Sequence, residues 1–291
     1  LNYSKNSYIL LINKERSISS QRTIGQIKRE LGTKKIGFAG TLDPEAQGLL
    51  VVGVNRGTKY LNTFENSDKE YMVELKFGYE TATLDVEGEV VEKSDIIPSI
   101  EQIIPVVESF LGVQEQIPPI YSAIKQNGVR SYQRARSGEE FTLPKRSVEI
   151  KELRDIKFEN KILSFTVLVS KGTYIRSLVR DIAYKLGTFA TMTKLTRTKV
   201  GPFELRNAAT VSDIYDAKAV IPVTNFYPNN HLVDYITLSE NMQKAVKNGN
   251  SFKMNTENDK EFIFVTVNAE VKVIYKRDGE SNNWNCEANL W

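Results

Sequence analysis

Residues 37–61 read GFAGTLDPEAQGLLVVGVNRGTKYL and place one carboxylate, Asp43, on a tight turn. Gly37 and Gly40 lead in, the Leu42-Asp43-Pro44 corner disfavours a helix at Asp43, and Gly48 feeds the apolar run Leu49 to Val52, which reads as a buried strand. Such a turn holds an acid at the edge of a cleft. On the dipeptide alone Asp-Pro is a common turn in which the acid bonds only its own backbone. The residues around it decide between the two readings.

Outward from this stretch, Ser19 to Leu31 has a cap at Ser19 or Ser20, Ile24, Ile27 and Leu31 on one face, and Gly32 as a stop, the pattern of a helix. Glu70 to Glu80 alternates Tyr71, Val73, Leu75, Phe77 and Tyr79 with more polar residues, so a strand with Tyr71 on its buried row is expected. Ser99 to Leu111 is a second helix with a Ser99–Gln102 capping box and Pro105 inside it. Phe158 to Ser170 reads as strands. A helix follows from Thr173 to Leu186, with Ile175, Leu178, Val179, Ile182 and Leu186 inward and Arg176 in its first turn, facing either a cleft or a surface acid such as Asp181. After Phe226 the charge balance turns acidic, and EFIFVTV and EVKVIYK predict two strands of a small β unit after a short helix at Ser239 to Lys247.

Composition narrows the chemistry. The chain has 291 residues, 41% hydrophobic, and no apolar run of the roughly 18 residues that a membrane span requires. Its first residues lack a basic stretch before an apolar signal core, so a cytoplasmic protein is expected. With one cysteine, Cys286, and one histidine, His231, a disulfide, a zinc site and a Ser-His-Asp triad are all short of members. No metal is expected, and carboxylate, Tyr, Arg and Lys are left to do any catalysis. The net charge is only +3, but Lys171 to Arg206 carries eight basic side chains against two acidic. Tyr121 to Ile150 carries six against three, with Tyr121, Tyr132 and Phe141 interleaved. Phosphate contacts plus stacking platforms suit unstacked RNA.

Five motifs occur in order: GFAGTLDP around Asp43, DKEYMVEL with Tyr71, TATLDVEGEVV with Asp85 and Gly88, IPPIYSAIKQNGVRSYQRAR from Ile117 to Arg136, and KGTYIRSL with Tyr174 and Arg176. Together they resemble the TruB family of tRNA pseudouridine synthases, from about Tyr8 to about Phe226. The resemblance implies an α+β fold, with a mixed, largely antiparallel central sheet flanked by helices. It implies a catalytic domain over 1–227, with an RNA-gripping insertion at about 117–147, and a small β-rich PUA-like domain over 228–291. It further implies isomerisation of the T-loop uridine at tRNA position 55, with Asp43 as nucleophile and Tyr71 and Arg176 beside it. Phe38, Tyr71, Tyr174, Leu195, Lys125, Arg130 and Arg134 are then expected to bind substrate. The implied partner is the tRNA T stem-loop, met by a monomer, with no cofactor and no membrane.

This chain departs from the family pattern at several positions. Phe38 replaces the usual His, Glu15 and Ser17 replace the usual Pro and Gly after Lys14, and Glu45 replaces an apolar residue after the LDP corner. Glu45 is expected to raise the pKa of one carboxylate if it lies close to Asp43, against the pull of Arg176. Two other readings remain: a degenerate relative that binds or chaperones tRNA without modifying it, and a glycoside hydrolase pairing Asp43 with Glu45 or Asp85, for which Trp284 and Trp291 lie far along the chain.

Overall fold

The computed structural model describes residues 7–122, 125–126, 129–131, 134, 139, 141–215, 219–222, 233–237, 246–254, 260–267 and 270–289. Its centre is a ten-stranded sheet. The strands in chain order are β1 (Tyr8–Lys14), β2 (Ile36–Ala39), β3 (Gln47–Val54), β4 (Lys69–Phe77), then a β5 (Tyr79–Thr81) and β6 (Val90–Lys93) hairpin beside the sheet. β7 (Gly112–Gln116) is followed by the small ladder of β8 (Lys125–Gln126) and β9 (Val129–Arg130). Then come β10 (Arg146–Glu159), β11 (Ile162–Val169), β12 (Ala190–Val200), β13 (Phe203–Glu204) and β14 (Val220–Pro222). The order across the sheet is β14-β1-β3-β12-β4-β11-β10-β7, with β2 on β3 and β13 on β12. Every pairing in it is antiparallel except β12 with β3, which meet in parallel over two residue pairs, Thr196 with Gln47 and Arg197 with Gly48. That short parallel contact joins two antiparallel halves, so the mixed, largely antiparallel sheet expected from the sequence is the one found.

Gly48 is what lets the halves approach. Its φ is +104°, and a Cβ there would lie 2.4 Å from the Arg197 carbonyl oxygen, so no other residue fits this crossing. The strand that follows is buried on both faces. Leu50, Val52 and Val54 pack with Ile24, Ile27 and Leu31 of helix α1 (Ser20–Leu31). Leu49 and Val51 pack on the other side with Ile9, Leu11, Tyr60 and Phe64, the last from α2 (Leu61–Glu65). α1 is capped as its sequence predicts: Ser19 accepts from the Arg22 amide, and Gly32 ends it at φ 60°.

In the other half, Tyr71, Val73, Leu75 and Phe77 of β4 point into one core with Leu163, Phe165, Val167 and Val169 of β11. α3 (Ile100–Glu108) covers it, with the Ser99–Gln102 capping box formed, together with α4 (Ile175–Lys185), which buries Ile175, Leu178, Val179 and Ile182. α4 begins at Ile175, two positions inside the expected start, with Tyr174 as its N-cap, because the extended backbone of Tyr174 is bonded in both directions by Gln116. A separate five-stranded sheet holds β15 (Val233–Thr237), β16 (Phe252–Lys253), β17 (Phe262–Val267), β18 (Glu270–Arg277) and β19 (Asn283–Asn289). It includes the two strands expected from EFIFVTV and EVKVIYK. Phe264 and Ile274 reach from it into the cluster around Ile9, Leu49 and Val51. Of the helix expected at Ser239 to Lys247, residues 239–245 lie outside the described residues, as does His231. Among the described residues no helix is long and apolar enough to cross a membrane.

Candidate active site

The turn that carries Asp43 is fastened before any partner of the carboxylate is considered. Ser20 Oγ donates to the Leu42 carbonyl (2.9 Å) and accepts from the Leu42 amide (3.0 Å). The Ala46 amide closes the turn on the Asp43 carbonyl at 3.1 Å. Lys14, fully buried at the end of β1, donates to the carbonyls of Glu15, Ile18 and Pro44, which ties the first motif to the residue after Asp43. Burial pulls the Lys14 ammonium down to about 8, against the attraction of Asp43.

Asp43 meets Arg176 across this turn, with Arg176 Nε 2.9 Å from Asp43 Oδ2. Each nitrogen of the guanidinium has a partner, and the side chain is buried. Nη1 donates to the Thr83 carbonyl at 2.8 Å and lies 3.7 Å from Asp85 Oδ2, and Nη2 donates to the Tyr121 carbonyl at 2.9 Å. Asp85 is itself fixed, accepting from Thr83 Oγ1 and the Glu87 amide. Burial raises the Asp43 pKa above the carboxylate value, with Asp85 adding to the rise, while Arg176 and Lys14 pull it down without cancelling it. Arg176 therefore orients Asp43 and lowers the cost of its charge, but the buried setting leaves it a weaker acid than a free carboxyl.

Two cavities share this pair as a wall. The inner one, about 400 Å³, has Tyr71, Leu195 and Tyr174 among its walls. The outer one, about 1140 Å³, has Phe38, Tyr121 and the carboxylates of Asp85, Glu87 and Glu89. Thr41, Leu42, Asp43, Ser122 and Arg176 belong to both and form a neck. Tyr71, Leu195 and Tyr174 thus line the inner space together, and Phe38 lines the outer one, half-buried against the α1 core. Burial raises the Tyr174 phenol.

Other expectations need correction. Glu45 is not the second carboxylate of the site: Arg16 Nε sits 2.7 Å from its Oε2 and Ser17 Oγ donates to its Oε1 at 2.9 Å, and these hydrogen bonds lower its pKa. The charge that acts on Asp43 comes from Asp85. Ser17 adopts φ 63°, a left-handed conformation that glycine takes most easily, and the two departures Ser17 and Glu45 bond each other. Asp181 pairs with Arg180, not Arg176. The basic run from Lys171 to Arg206 is not one docking face, because Arg176 and Arg197 are buried within the fold. Arg197 Nε donates to the Leu49 carbonyl (2.7 Å) and Nη2 to the Gly40 carbonyl (3.0 Å), stapling the Asp43 turn to β3 and β12.

In the gripping segment, Lys125 and Arg130 face each other across the β8–β9 ladder, and their side chains lie outside the described residues. Arg134 pairs with Glu139, Nε to Oε2 at 2.8 Å, and its guanidinium lies 4.1 Å from the Phe141 ring centre. Tyr132 is outside the described residues. The root of the segment is clamped onto α4: Ser177 Oγ and Arg180 Nη2 both donate to the Ile117 carbonyl. From the sequence alone Gln116 has no role, Ser20 is only a candidate helix cap, Arg197 counts only in the basic run and Lys14 only within the first motif; a lone cation closing the apolar strand YILLINK is the local signal for burial of Lys14.

Comparison with known proteins identifies the family. A family model described as TruB family pseudouridylate synthase (N terminal domain) matches residues 28–175, and one described as tRNA pseudouridylate synthase B C-terminal domain matches 176–237. The tRNA pseudouridine synthase B of Ehrlichia ruminantium (strain Gardel) is 35% identical over 253 residues, covering 84% of this chain and 85% of that protein. The protein of the same name from Borrelia garinii subsp. bavariensis is 36% identical over 274 residues, covering 93% and 92%. Among solved structures, an H/ACA RNP bound to a substrate RNA containing 2'-deoxyuridine superposes with a TM-score of 0.65 at 20% identity, over 99% of this chain and 85% of that one, which shows the shared fold. The fold is that of a pseudouridine synthase, and the family match makes the chain an isomerase. The chain belongs to the TruB family of pseudouridylate synthases.

Proposed function

We propose that this chain isomerises the T-loop uridine at tRNA position 55 to pseudouridine, with Asp43 as the nucleophile. The reaction breaks an N-glycosidic bond, turns the base and rejoins it through carbon, without redox change or net hydrolysis. The observation that carries the reading is the Asp43–Arg176 pair, 2.9 Å apart in a neck between two cavities. A carboxylate there can attack the base or assist elimination from the ribose, and Arg176 keeps it aimed. Tyr71 and Leu195 line the space for an extruded base, and Tyr71 is the group for assisting removal of the proton from carbon before aromaticity returns. Extrusion costs a few kcal/mol of stacking, less in a loop than in a duplex.

Phe38 stacks on the RNA from the outer wall, and Tyr174 packs beside the base. Lys125, Arg130 and Arg134 of the gripping segment meet the phosphates, Arg134 by exchanging its pairing with Glu139. Residues 228–291 act as a small PUA-like domain with secondary RNA contact. The partner is the T stem-loop of tRNA, met by a cytoplasmic monomer. The names of the relatives support the substrate class, and the intact Asp43, Tyr71 and Arg176 support activity over mere binding.

The test is to incubate the protein with an unmodified tRNA transcript and map pseudouridine by a base-specific derivatisation that adds mass. Modification confined to position 55 is expected. Tight binding with no pseudouridine, or modification only at another position, contradicts the proposal.

A further inference from the structure

One polar group in the neck has no part in the chemistry so far. Ser122 is only 5% exposed, yet its Oγ has no hydrogen-bond partner among the described residues, and it lines both cavities. Its neighbour is the Tyr174 phenol, whose pKa burial raises and contact with the Ser122 hydroxyl partly offsets, at a geometry outside that of a formed hydrogen bond. The backbone around it is fixed. The Ser122 amide donates to the Ile120 carbonyl at 3.0 Å, and the preceding carbonyl, of Tyr121, accepts from Arg176. These two backbone bonds hold the chain on the N-terminal side of the hydroxyl. A buried hydroxyl with nothing to bond is destabilising, and one that persists at the mouth of a cavity is satisfied by what enters it.

The identity of that group follows from the order of spaces, taking the reading above for the substrate. A base seated among Tyr71, Leu195 and Tyr174 occupies the inner cavity. The sugar joined to it then lies in the neck, beside Asp43, Arg176 and Ser122. Of the groups a nucleotide brings to that level, the ribose hydroxyl both donates and accepts, as does Ser122 Oγ. We infer that Ser122 Oγ hydrogen-bonds the 2′-hydroxyl of the extruded nucleotide and distinguishes ribose from deoxyribose at that position. Ser122 is on this account a binding residue, placed at the root of the gripping segment, so the sugar is checked where that segment meets Arg176.

The test reads binding alone. In an Asp43→Asn background, the affinity for a T stem-loop hairpin is compared with that for the same hairpin carrying one 2′-deoxyuridine at the target, with and without Ser122→Ala. The parent is expected to bind the deoxy hairpin about tenfold more weakly. Adding Ser122→Ala brings the ratio close to one, with both affinities near the parent's deoxy value, and the melting temperature falls no further. Unchanged discrimination after Ser122→Ala, or none in the parent, overturns the assignment. A clear drop in melting temperature does so as well, since it marks a structural bond. A protein that binds the RNA and never isomerises it would remove the proposed function while leaving this result to stand.

Discussion

Asp43 is a carboxylate pushed in two directions, and the direction that wins has a kinetic consequence. Burial and Asp85 raise its pKa above 3.8, and Arg176 and Lys14 only moderate the rise. If the ionised form reacts, the acid limb of the rate falls at a higher pH than an ordinary carboxyl would give. Removing a neighbouring negative charge favours ionisation, so Asp85→Asn moves that limb to lower pH. Glu45→Gln leaves it in place, because Glu45 is spent on Arg16 and Ser17. A pH profile of single-turnover rates for the three proteins checks both signs; equal shifts in the two variants would contradict the charge assignment. Phe38 poses a second question at this scale. It lines the outer cavity from the side packed against the α1 core and is not one of the bonded partners of Asp43 or Arg176 described above, so Phe38→His should change the isomerisation rate less than about tenfold, or about 1.4 kcal/mol. A large gain from a near-zero starting rate would mean that the wild-type site is impaired.

Between elements, the short parallel contact of β12 and β3 sets the site, and Arg197 is the side chain that holds it. Arg197→Met would leave two buried carbonyls, of Leu49 and Gly40, without their donor, at a cost of about 2–4 kcal/mol in denaturant unfolding. A loss below about 1 kcal/mol would show that the staple is dispensable. Sequence periodicity made most of these elements legible: the capped α1, the alternating β4 with Tyr71 inward, and the run at β3 buried on both faces each follow from local pattern. The Asp43 turn and the first-turn placement of Arg176 were legible for the same reason. Contacts between distant segments were not. Nothing local tells that Asp85 and not Glu45 approaches Asp43, that Lys14 reaches Pro44, or that two arginines of a basic run turn inward, because these depend on which loops the sheet order brings together.

Over the whole molecule, the two faces of β3 are covered by different parts of the chain, α1 on one side and Phe264 and Ile274 of the carboxyl-terminal sheet on the other. Removing residues 228–291 would expose Ile9, Leu11, Leu49 and Val51 to solvent. The shortened chain should melt at lower temperature or aggregate. Melting identical to the full chain would mean that the second sheet contributes nothing to this core. The claim on which the account turns is that Asp43, held by Arg176, is the nucleophile. Its most direct measurement is single-turnover conversion of unmodified tRNA by wild type and Asp43→Asn, with tRNA affinity measured alongside. The account predicts pseudouridine at position 55 with wild type, less than about one per cent of that rate with Asp43→Asn, and nearly equal affinities. Turnover by Asp43→Asn above that level at unchanged affinity would contradict it.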